Sequence, residues 1–89
     1  MNILSGRAMC RHLMSLGVTA QKVVRKRETG DYVADFYIPD MDDSIAPASQ
    51  WAQAIRHVLP DVHIIETHDT VASWRQNQPI IHATVVFQV

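Results

Sequence analysis

Apolar residues recur along this chain with two different periods, and the switches between them divide it into six elements. Met9, Leu13 and Leu16 repeat at helical spacing, with Cys10 and Met14 widening the stripe. Ser5 stands where its hydroxyl caps the first free N–H groups, and Leu4 and Met9 are placed to close as a hydrophobic staple. Gly17 supplies the left-handed residue that ends this helix. From Val18 the period becomes two. Residues 18–27 and 32–38 read as strands, with Glu28, Thr29, Gly30 and Asp31 forming a short hairpin connection. Tyr32, Ala34, Phe36 and Ile38 share one face, assigned to the core, while Asp35 and Tyr37 point the other way.

Helical spacing returns after a break at residues 39–43. Ile45, Ala48, Trp51, Ala52, Ile55, Val58 and Leu59 form the cleanest amphipathic stripe in the chain. Ser44 is the expected N-cap, Pro47 is tolerated in the first turn, and Pro60 stops the helix. Asp42 and Asp43 precede its positive end, and Arg56 and His57 lie near its negative end. A third strand is expected over residues 62–67, extending toward Trp74, followed by a polar turn over residues 75–79. In the last segment Ile81, Ala83, Val85, Phe87 and Val89 alternate with Ile80, His82, Thr84, Val86 and Gln88, so one face is apolar and the other mixed.

The order αββαββ predicts an α+β domain: an antiparallel four-stranded sheet with two helices packed on one face. The alternative is a ferredoxin-like arrangement in which Asn2 to Leu4 adds a short leading strand. Arg11-His12-Leu13-Met14 aligns with Arg56-His57-Val58-Leu59, which suggests an αββ pseudo-repeat over residues 5–38 and 44–89. With 89 residues there is material for one domain, spanning 1–89. Hydrophobic residues at 47% and charged residues at 19% exclude a disordered or collagen-like chain. No run of eighteen apolar residues is present, so no membrane partner is expected. Arg7, Arg11 and His12 interrupt any secretory apolar stretch, and Cys10 is the sole cysteine, which together predict a cytoplasmic setting.

The net charge of −1 hides two opposed blocks. Arg7, Arg11, Lys22, Arg25, Lys26 and Arg27 precede Glu28 with no acid among them; Glu28, Asp31, Asp35, Asp40, Asp42 and Asp43 follow with no base. Three readings are open. The cations could meet phosphates, the blocks could complement one another between subunits or toward a protein partner, or they could pair across the hairpin strands. A helix-turn-helix is a further alternative. Residues 16–21 resemble its glycine turn, and a helix over 20–27 would present Gln21, Lys22 and Arg25 to a major groove.

Catalytic patterns are sparse. His12, His57, His63, His68 and His82 form no HExxH, and the odd spacing of His63 and His68 puts them on opposite strand faces. Glu66 and His68 share a face and could pair. Cys10 lies on a packing stripe. No catalytic residue, metal site or cofactor is assigned, and the chain is not read as an enzyme. Trp74, beside a polar turn, is either an interface anchor or a cap on the sheet edge. The expected function is a non-catalytic binding or assembly module, working as a homodimer or protein-partner adaptor through sheet edges or the open face that carries Val33, Ile65, Ile80 and Val86. The alternative is a nucleic-acid-binding regulator using Lys22, Arg25, Lys26 and Arg27 with Arg7 and Arg11 nearby. The size also suits a phage or mobile-element accessory or inhibitor protein.

Overall fold

Alternating apolar positions in two central strands force the sheet to bury one face, and the two helices supply the cover. A computed structural model describes residues 3–39 and 46–89. It contains α1 (Gly6–Ser15), β1 (Lys22–Arg25), β2 (Tyr32–Pro39), α2 (Pro47–Val58), β3 (His63–Arg75) and β4 (Gln78–Gln88). The sheet runs β1-β2-β4-β3 and every neighbouring pair is antiparallel. The αββαββ reading is therefore the architecture that forms. Ile3 and Leu4 join no strand, which removes the described part of the ferredoxin-like alternative; Asn2 lies outside the described residues.

The core is built from one face of each central strand. Tyr32, Ala34 and Phe36 of β2 and Ala83, Val85 and Phe87 of β4 are buried against Met9 and Leu13 of α1 and Ala48, Ala52 and Ile55 of α2. Tyr32 stacks on Phe87 with ring centroids 5.4 Å apart, and Phe36 stacks on Trp51 at 4.4 Å. Full burial of such side chains contributes about 1.5–3 kcal/mol each before the entropy cost of ordering the chain.

Both ends of α1 follow the sequence. Ser5 Oγ accepts from the Ala8 N–H at 3.1 Å, and Gly17 takes φ +92° while Val18 N–H returns to the Leu13 carbonyl at 2.9 Å. The start of the helix lies against β1: a Cβ on Gly6 would stand 2.4 Å from the Val23 carbonyl oxygen and 2.9 Å from the Val24 Cα. Only hydrogen fits there.

The N-terminus of α2 is capped from another element. Ser44, Asp42 and Asp43 lie outside the described residues, and Ala46 at the cap position makes no side-chain cap bond. Instead the Ala48 N–H donates to Asp69 Oδ1 of β3 at 2.9 Å. The carboxylate satisfies one of the helix's free donors and sits at the positive end of its dipole.

Strand lengths depart from expectation at both hairpins. The first strand is 22–25 rather than 18–27. Val18 and Ala20 are buried without joining the ladder, and Lys26 and Arg27 belong to the turn, where Lys26 N–H bonds the Asp31 carbonyl and Gly30 N–H the Lys26 carbonyl. Beyond the strand, Gln21 continues the ladder with its side chain. Its Oε1 accepts from Tyr37 N–H at 3.2 Å, and its Nε2 donates to the Tyr37 carbonyl at 3.4 Å. The pairing of 22–25 with β2 also overturns the recognition helix over 20–27. The second hairpin is longer than expected. Its turn is only Gln76 and Asn77, both at positive φ, so Gln78 and Pro79 belong to β4.

Two stability effects follow. Asp69→Ala removes the cap and lowers unfolding free energy by about 0.5–2 kcal/mol in urea denaturation, while Asp69→Asn, which keeps an acceptor oxygen, retains most of it. Gly6→Ala costs about 1–3 kcal/mol by the same measurement, because a backbone must move to admit the methyl.

Candidate functional site: the uncovered sheet face and the β3 edge

The sheet face turned away from the helices carries a polar cluster over a short apolar row. Register places Val24, Val33 and Val86 side by side across β1, β2 and β4. Val86 is buried, Val33 half-buried and Val24 exposed. One step along the strands, Lys22, Asp35, Thr84 and His68 form the next row, followed by Tyr37, His82 and Thr70. His82 Nε2 lies 2.8 Å from Asp35 Oδ1, and Thr84 Oγ1 lies 3.3 Å from each of these atoms. The Tyr37 ring stacks on His82 at 4.6 Å, nearly parallel. These groups bond one another, which fixes the imidazole in place on the sheet.

This arrangement corrects the cross-strand pairing of the two charge blocks. Lys22 does stand opposite Asp35, but Asp35 is taken by His82. Among the described residues the base–carboxylate contacts are His82–Asp35 and His68–Glu66, which are ion pairs only when the histidine is protonated, and neither uses an arginine or lysine. The Glu66–His68 contact anticipated from their spacing is present.

The placement of His63 is also corrected. His63 opposes Gln88 and His68 opposes Thr84, two residues of the same face of β4, because a bulge between Ile64 and Glu66 inserts one extra residue. Odd spacing therefore puts both histidines on the uncovered side. Among the described residues, no group of three or more His, Cys, Asp and Glu is placed to hold a metal ion. No helix among them is long and apolar enough to cross a membrane.

The cations singled out from sequence are spread over α1, β1 and the first turn. Arg7 and Arg11 are exposed on α1, Lys22 is exposed on the uncovered face, and Lys26 and Arg27 project from the turn. Arg25 follows the two-residue period of Val23 and is half-buried on the helix side, opposite Tyr32. Trp74 remains 69% exposed at the far end of the β3–β4 hairpin rather than folding down as a cap. It borders a shallow groove with Tyr37, Ser73, Arg75 and Ile80.

Sequence reasoning missed the asymmetry of the two sheet edges. β1 is four residues long, carries Lys22 and Arg25, and has the start of α1 against its backbone. β3 is thirteen residues long and is exposed along most of its length. Among the described residues no strand pairs with its outer edge, and it carries no proline or lysine to block pairing. The molecule is drawn out to 46 × 22 × 22 Å.

No protein-family model, curated protein or solved structure matches the chain.

Asp35→Ala lowers stability by about 1–2 kcal/mol in urea denaturation, because His82 and Thr84 lose their shared acceptor. Lys22→Ala, which removes no such bond, stays within about 0.5 kcal/mol of the parent chain.

Proposed function

We propose that the chain is a non-catalytic assembly module that forms a homodimer by pairing β3 with β3 of a second copy. The observation that carries this is the long open edge of β3 beside the blunted edge of β1. A two-fold axis across that edge would join two four-stranded sheets into one of eight strands and leave both copies equivalent.

The charges on β3 select the direction. On the uncovered face its side chains run Glu66, His68 and Thr70, then, past the second bulge, Ser73 and Arg75. Antiparallel pairing sets Glu66 of each copy against Arg75 of the other and His68 against Ser73. In-register parallel pairing would set glutamate against glutamate and arginine against arginine, which is unfavourable. On the opposite face Val71, 54% exposed, lies near the axis, and Trp74 falls beside Thr67 of the second copy. Backbone bonds and burial of these apolar groups would supply most of the association energy, with the charge pairs adding about 0.2–1 kcal/mol each. On the uncovered face, the polar atoms of Asp35, His82 and Thr84 already bond one another, which supports a structural role for them.

Size-exclusion chromatography with light scattering over a range of concentrations tests this. A dimer is expected, and a strict monomer at the highest concentration overturns the proposal. Glu66→Arg and Arg75→Glu should each shift the chain toward monomer, and the double substitution should restore the dimer. A dimer indifferent to all three places its interface elsewhere.

A further inference from the structure

The end of the sheet away from the β3–β4 turn, beside the β1–β2 turn, opens on the helix side into a cleft of about 480 Å³. Leu4, Met9, Tyr32 and Leu59 line it with apolar surface, and Arg25, His12, Thr29 and Gln88 add polar groups. The wall formed by the N-terminal segment is fixed in place, because the Tyr32 hydroxyl donates to the Leu4 carbonyl at 2.6 Å. None of the described residues lining the cleft is acidic.

Arg25 is the unusual member. It stands on the helix side of β1, it takes part in no ion pair among the described residues, and its Nε is buried without a hydrogen-bond partner. Gly30, at φ +78°, lies against the guanidinium: a Cβ there would come within 3.2 Å of Nη2. A buried guanidinium Nε with no acceptor leaves one donor of a permanent cation uncompensated. A carboxylate matches its planar fork, and a hydrocarbon chain matches the walls. A phosphate dianion fits less well, since the cleft offers a single permanent cation.

We infer that this cleft binds an aliphatic monocarboxylate, with the carboxylate on Arg25 and the hydrocarbon tail along Leu4, Met9 and Leu59. The site is at the opposite end of the β3–β4 hairpin from Trp74 and does not depend on self-association.

Titration of the ¹⁵N-labelled chain with octanoate, octanol and acetate, followed by amide chemical shifts, tests the inference without any substitution. Octanoate should shift the amides of Arg25, Gly30 and Met9, and octanol and acetate should each bind about tenfold more weakly or worse, since each lacks one half of the recognition. Arg25→Gln should weaken octanoate to a similar degree, while Arg27→Gln in the exposed turn should leave it unchanged. Absence of shifts at these residues, equal binding of octanol and octanoate, or a folded Arg25→Gln chain with full affinity would each overturn the assignment.

Discussion

The structure depends on one packing contact: the apolar faces of β2 and β4, side by side at the centre of the sheet, pressed against the stripes of two helices. Phe36, Val85 and Phe87 are wholly buried there with Ile55 and Leu13. Alanines at 34, 48, 52 and 83 let the layers approach closely enough for the Phe36–Trp51 and Tyr32–Phe87 stacks to form. Because successive strand residues point to opposite faces, burying one set leaves the alternate set without a cover. The row of three valines and the Asp35–His82–Thr84 cluster are what the chain places on that second face.

The same contact explains why the two sheet edges differ. α1 lies against β1, so closely that Gly6 is confined to hydrogen, and Gln21 bonds β2 both through its backbone N–H, to the Asp35 carbonyl, and through its side-chain amide, to Tyr37. That edge is short and occupied. β3 meets the helix layer through Ile64, which packs against the core, and through the Asp69 cap on α2, and the rest of it is exposed along most of its length. Two bulges bend it, which both re-aims its side chains and limits how a neighbouring strand can lie beside it. The proposed assembly role rests on this contrast between edges more than on any side chain taken alone.

Charge behaves differently in three dimensions than along the chain. The cationic and anionic blocks are contiguous in sequence, yet strand alternation separates Lys22 from Arg25, and the turn removes Lys26 and Arg27 from the ladder. Asp35, which faces Lys22 in register, is bonded by a histidine from β4, 47 residues away in sequence. Arg25 lines a cleft in which no Asp or Glu stands among the described residues. Local sequence proximity was a poor guide here because side-chain direction and strand order, not chain distance, decide which charges meet.

Periodicity carried the element order, the faces of β2 and β4, the cap at Ser5, the turn at Gly17 and the second helical stripe, read to Leu59 where Leu59 is the C-cap, because each depends on residues within one or two turns or strands of one another. The antiparallel α+β class follows from that order once short connections are required. Strand boundaries were less legible: nothing local shows that Val18 and Ala20 would be buried outside the ladder, or that Gln76 and Asn77 alone would make the second turn. The bulge that brings His63 and His68 to one face, the cap donated to α2 by Asp69 and the capture of Asp35 by His82 were decided only by tertiary structure. Each joins residues from separate elements or depends on how two strands slide into register. A one-dimensional pattern specifies which side of an element is apolar, whereas partners across the fold are chosen when those sides are pressed together.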